Sequence, residues 1–210
     1  MPLTRRHLLL AGGAAAIARP AAAAPASRLI DERWTRHGQR GDPDAGPWAA
    51  ILARHLRTGT ASGVTLFDYE AATADRPMLR AWLDEMAQVA PTTLSRAAAM
   101  AYWINLYNAL TVDLVLEAWP VGSIREVRGG LFDTGPWDEA VIRVEGRDLS
   151  LDDIEHGILR PVWRDPRIHY AVNCASIGCP DLAPEPYAAV RLDAMLDAGA
   201  AAYVAHPRGC

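Results

Sequence analysis

The stretch from residue 95 to 119 constrains the fold of this chain more than any other. It is the longest apolar element and carries Ala-Tyr-Trp-Ile-Asn-Leu-Tyr-Asn-Ala-Leu at 101–110. Ser95 fits an N-cap after Pro91, and Pro120 with Gly122 stops the helix. The run reaches the roughly 20 residues that cross a bilayer. Asn105, Asn108 and Asp113 stand in its middle, however, and each is costly in lipid, so a central buried helix is expected. Asn105 and Asn108 are three apart and share a face. Buried amides need partners, so this pair either bridges to neighbouring backbone or lies behind an active site.

Around that helix the pattern predicts further elements. Trp48, Ile51, Leu52 and His55 mark a helix over 47–56, followed by a turn at 58–63 and an extended piece at 64–69. Leu79, Trp82, Leu83 and Met86 repeat at helical spacing over 76–90 and read as core. A loop is expected at 129–136, and residues 137–147 alternate as a hairpin strand would before Gly146. Ser150 and Asp153 form a capping box for a helix ended by Pro161, and Leu192, Met195, Leu196 and Tyr203 pattern a last helix over 191–205.

With 210 residues, half of them hydrophobic, the chain suits one well-buried domain. A net charge of −4 argues against nucleic acid as partner, since such proteins present a basic face to phosphate. All 21 basic residues are Arg, a compositional trait to which no function attaches. At the N-terminus Arg5 and Arg6 precede an apolar stretch at 8–18 and a small-residue run at 21–24. Residues 1–24 therefore read as a Tat-type twin-arginine export signal, with an ordinary Sec signal as the alternative. Either leads to a periplasmic or secreted protein, and the apolar run is too short for a stable membrane span. Residues 25–47, rich in Arg, Asp, Gly and Pro, read as a flexible arm.

Chemistry concentrates at 167–180, Arg-Ile-His-Tyr-Ala-Val-Asn-Cys-Ala-Ser-Ile-Gly-Cys-Pro. The apolar run 168–172 reads as a buried strand that breaks into a functional turn. Here stand His169, Asn173, Cys174, Ser176 and Cys179, groups able to act as nucleophile, base or metal ligand. In an oxidising compartment Cys174 and Cys179 could close a small disulfide loop, although so short a loop gains little stability. Glu155 and His156 form the second concentration of proton-transfer groups. Neighbours on a helix point apart, so one is expected to serve a site and the other to pair with an Arg such as Arg160 or Arg167.

The strings at 101–110, 135–137, 149–161 and 167–180 resemble, in order, the signatures of the DUF547 family, a domain of unknown function, over a region running from about Trp48 to the C-terminus. The family is usually grouped with papain-like and transglutaminase-like cysteine hydrolases. The resemblance implies an α+β, papain-like or transglutaminase-like fold at 48–210, with a central buried helix packed on a small antiparallel sheet. Family members usually continue past Cys210, so the domain looks C-terminally truncated. Papain-like enzymes carry their thiol at the start of the central helix. No Cys stands there, so a catalytic thiol would come from Cys174.

Three functions follow. The first is an exported bacterial cysteine hydrolase or transferase acting on a peptide or amide, without a cofactor. Cys174 would be its nucleophile, His169 or His156 its base, and Glu155 or Asn105 the group orienting that base. Asn173 and Ser176 would supply oxyanion contacts, with Asn108 in support. On a regular strand His169 and Cys174 would face opposite sides, which favours His156 unless a bulge intervenes. The second is a zinc site of His156, His169, Cys174 and Cys179. The third is a non-catalytic envelope binding module with a structural Cys174–Cys179 disulfide.

Overall fold

The computed structural model describes residues 26–127 and 135–209. The export signal expected at 1–24 and most of the loop expected at 129–136 lie outside the described residues. The fold is α+β: helices around one core, with two small antiparallel hairpins. In chain order the elements are α1 (Gly46–His55), β1 (Leu56–Arg57), β2 (Leu66–Phe67), α2 (Tyr69–Ala72), α3 (Arg76–Gln88) and α4 (Arg96–Ala118). There follow β3 (Ile142–Val144), β4 (Arg147–Leu149), a π-helix (Asp153–Leu159), α5 (Arg160–Trp163), α6 (Ile168–Ala171) and α7 (Leu192–Ala205).

Helix α4 is the expected central element. Every residue from Ala98 to Leu116 is buried, so the helix is enclosed on all sides. Its N-cap is Ser95, whose Oγ accepts from Ala98 N at 3.3 Å. Among the described residues no helix is long and apolar enough to cross a membrane. The buried Asp113 carboxylate is matched by two guanidinium groups from α3, Arg76 Nε at 2.8 Å and Arg80 Nη1 at 3.0 Å. The apolar faces of α1 and α3 are those the spacing predicts, and they meet through Trp48 stacked on Trp82.

The hairpins are separate two-stranded pairs rather than one sheet under the helix, which corrects the expected architecture. In β3–β4, Ile142 faces Leu149 and Val144 faces Arg147. The connecting residues Glu145 and Gly146 both have positive φ, 45° and 81°, as a tight two-residue hairpin turn requires. Glu145 is fixed there by Thr92, whose hydroxyl donates to its carboxylate at 2.8 Å.

The flexible arm expected at 25–47 is also corrected, because from Arg28 onward it is docked. Arg28 N donates to the His156 carbonyl at 3.0 Å and Ile30 N to the Gly157 carbonyl at 3.2 Å. Trp34 is buried edge-on against Trp103 of α4, 5.2 Å between ring centroids. Gly157 is required by this docking, since a Cβ there would meet Ile30 Cγ2 at 2.7 Å. The composition of the arm conceals these contacts because only three apolar residues, Leu29, Ile30 and Trp34, carry the packing.

A third correction concerns 168–172. The expected strand is the short helix α6, with Ile168 and Ala171 turned inward. Short apolar runs do not distinguish a strand from a buried helical turn. The turn at Asp165 and Pro166 decides it, with Ile168 N donating to Asp165 O and His169 N to Pro166 O. Arg167 anchors α6 by pairing with Asp165, Asp193 and Asp197.

Candidate functional site

The chain leaves α6 in extended conformation at Val172 and enters a loop closed twice. Cys174 and Cys179 are joined by a disulfide, their Cα atoms 6.1 Å apart. Inside and outside that ring, Asn173 acts as a hub. Its Oδ1 accepts from Ala175 N at 2.8 Å, its Nδ2 donates to Pro180 O at 2.6 Å, and its backbone N donates to Asn108 Oδ1 at 2.8 Å. The Asn173 cap lets Ala175 adopt a left-handed conformation with φ 55°. The tip is tied down from the C-terminal side. Tyr203 of α7 donates its hydroxyl to Gly178 O at 2.8 Å, and Arg208 Nη1 donates to Ile177 O at 3.0 Å.

This loop borders a cleft. A cavity of 130 Å³ lies between the β1–β2 hairpin and the loop, lined by Phe67, Tyr69, Asn173, Ser176 and Cys179 among others. A second of 310 Å³ adjoins it between Leu182, Tyr187 and α7, with Met195 and Tyr203 in its wall. Thr65, Asp181, Leu182 and Arg208 line both. Asp181 and Arg208 pair at 2.6 Å, so a compensated ion pair stands midway along an otherwise largely apolar passage. Burial pushes the Tyr187 hydroxyl up to about 12, keeping it neutral at any physiological pH.

The residues expected to cooperate in catalysis are distributed over three places. Asn108, Asn173, Ser176, Cys174 and Cys179 gather at the loop. Asn105 does not join them: its Nδ2 donates to Tyr187 O and its Oδ1 accepts from Tyr187 N, both at 2.8 Å. Both ends of that amide are consumed, so it orients no imidazole. Asn108 is used in the same way, donating to Ala171 O at 2.9 Å while holding Asn173. The two amides, one helical turn apart, each clamp a stretch of irregular backbone onto α4.

Glu155, His156 and His169 form the third group. Glu155 receives Arg160 Nε at 3.0 Å and Nη2 at 2.6 Å, the arginine pairing anticipated for one member of the Glu155–His156 doublet. The buried Tyr107 hydroxyl also faces this carboxylate, and burial together with that charge raises the Tyr107 pKa. His156 Nε2 lies 3.9 Å from Glu155, beyond hydrogen-bond range, and His156 lines a different cavity, of 370 Å³, beneath the docked arm. That cavity shares no lining residue with the cleft. His169 Nδ1 faces Arg160 Nη2 at 3.3 Å. A nucleophile's base is normally oriented by an acceptor that takes its Nδ1–H. Here the neighbour can only donate, so Nδ1 is engaged as the acceptor.

No group of three or more His, Cys, Asp or Glu able to hold a metal ion occurs among the described residues. The zinc set His156, His169, Cys174 and Cys179 is thus not assembled: two members are bonded to each other, His169 faces Arg160, and His156 lines a separate cavity. Sequence reasoning does not single out Tyr203, Arg208 or Asp181 as site residues: Tyr203 reads only as part of the pattern of the last helix, and nothing near Arg208 signals a contact with residue 177.

A family model described as "Protein of unknown function, DUF547" matches residues 91–204. The chain belongs to the DUF547 family. The match spans more than half of the chain and holds α4, the π-helix, the disulfide loop and nearly all of α7. It begins at Pro91, well after the Trp48 suggested by the sequence resemblance, so the β1–β2 wall of the cleft precedes the DUF547 match and Arg208 follows it. No curated protein and no solved structure matches the chain.

Proposed function

We propose that this DUF547 protein is an exported, non-catalytic binding module whose cleft takes an amide-containing ligand with apolar side chains. The observation carrying this is the Cys174–Cys179 disulfide, whose Cys179 lines the smaller of two adjoining cavities. A disulfide sulfur is no nucleophile toward an amide, since attack needs the thiolate. Phe67, Tyr69, Tyr187, Met195 and Tyr203 supply apolar and aromatic walls, with Asp181 and Arg208 between them to meet an amide. The export expectation supports a persistent disulfide.

A second reading, the cysteine hydrolase of the reduced chain, keeps one supporting observation. Asn173 and Ser176, the expected oxyanion contacts, both line the smaller cavity.

One experiment separates the two. Blocked dipeptides and tripeptides carrying Phe, Tyr or Met are titrated into the mature protein under non-reducing conditions. Amide NMR shifts and iodoacetamide labelling are then followed together. Shifts centred on Leu182, Tyr187 and Tyr203 with Cys174 unlabelled are expected. Rapid labelling of Cys174 below the free-thiol pKa of about 8.5, without added reductant, overturns the binding reading in favour of the hydrolase. Absence of shifts at the cleft also overturns it.

A further inference from the structure

The two half-buried cysteines of the disulfide border the cleft unequally. Cys179 lines the 130 Å³ cavity, whereas Cys174 lines neither cavity of the cleft. The loop around the bond is moreover held without it. Asn173 spans to Pro180 O at 2.6 Å, Asn108 fixes Asn173 N at 2.8 Å, and Tyr203 and Arg208 hold the carbonyls of Gly178 and Ile177 at 2.8 and 3.0 Å. A bond bracketed by such contacts can open while the backbone it joins stays closed.

We propose that the cleft admits a low-molecular-weight thiol, which forms a mixed disulfide at Cys179. The thiolate attacks Cys179 Sγ from the cavity, and a new S–S bond forms there. The Cys174–Cys179 bond breaks, its electron pair leaves on Cys174 Sγ, and that sulfur takes up a proton from solvent. One disulfide is consumed and one is made, so no external oxidant or reductant is needed. Cys174, kept beside its former partner by the Asn173 contacts, attacks Cys179 Sγ to expel the thiol and close the ring again. Cys179 is the acceptor and Cys174 the resolving thiol. This assignment rests on the cleft reading above, in that the thiol enters by that cleft.

Cysteamine is the probe. The mature protein is incubated with excess cysteamine, quenched with iodoacetamide and mapped by peptide mass. Cysteamine on Cys179 with carbamidomethyl on Cys174 is expected to exceed the opposite pattern by about tenfold. An equal share at Cys174, or no adduct under conditions where the urea-unfolded chain exchanges, overturns the proposal. As an independent measurement, the Cys174→Ser variant, leaving Cys179 free, should react with cystamine about ten times faster than Cys179→Ser. Equal rates would likewise overturn it. Cysteamine captured at Cys179 without peptide binding sinks the peptide-module reading alone. Peptide binding with the adduct at Cys174 sinks the thiol assignment alone.

Discussion

Asn108 grips the backbone on both sides of Val172: its Nδ2 donates to Ala171 O at 2.9 Å and its Oδ1 accepts from Asn173 N at 2.8 Å. One buried side chain thereby sets where helix α6 ends and where the disulfide loop begins. Asn105 does the same for both backbone groups of Tyr187.

Truncating Asn108 to Ala should therefore cost about 2–4 kcal/mol, two lost bonds plus two buried groups left unpaired. Asn108→Asp keeps the acceptor toward Asn173 but loses the donor toward Ala171, and is also destabilising. Urea denaturation followed by Trp fluorescence measures both. A loss under 1 kcal/mol for Asn108→Ala would show that water replaces the amide.

Reducing the disulfide should leave the fold standing. Closing so short a loop is worth about 2 kcal/mol in the chain-entropy account, and the Asn173 contacts survive reduction. Far-UV circular dichroism with and without reductant should overlay at 25 °C, while Tm drops by several degrees. Cooperative unfolding on reduction at that temperature would contradict this.

Asp113 is the buried anchor of two surface arginines. Asp113→Ala should lower stability by about 3 kcal/mol, since it strips both guanidinium groups of their shared acceptor and leaves a cavity. Arg76→Ala or Arg80→Ala should each cost much less, because either leaves the other on the carboxylate. Comparable losses for all three variants in thermal unfolding would refute the sharing.

Burial raises the carboxyl of Asp152, an effect opposed by His156 and reinforced by Glu155, Asp138 and Asp153. A carboxyl raised on folding penalises the native state once it ionises. That penalty is full above the folded pKa and vanishes below the unfolded value, near 4. Asp152→Asn should therefore raise Tm at pH 7, with the gain shrinking toward pH 4. A pH-independent difference would mean that the substitution acts through packing.

The elements legible in the sequence are those whose signal is local and repeated. Helix α4, the inward faces of α1 and α3, and the Ser150–Asp153 capping box all state themselves in spacing or in a four-residue motif. The box forms with both reciprocal bonds at 3.0 Å. What the sequence concealed depends on single long-range contacts. Ile168 and Ala171 fit a strand or a helical turn equally well until Asp165 and Pro166 begin the turn. Arg28 and Ile30 bind carbonyls of a π-helix that no periodicity announces. At the site, the cysteines and Asn173 stood out by chemical type. Tyr203 and Arg208 did not, because their partners are backbone carbonyls of Gly178 and Ile177, and a carbonyl carries no sequence identity.

The same main-chain contacts decide what residues 175–178 are free to become. The posts on either side, Asn173 with Cys174 and Cys179 with Pro180, are fixed by groups outside the segment, and Tyr203 and Arg208 grip only its main chain. The side chains of Ser176 and Ile177 are exposed, Ile177 by 74%. Ala175 is bound to its left-handed turn and to the core, and Ser176 to the cavity wall, so the exposed Ile177 is where a label or another side chain can be carried while the frame around it stays in place.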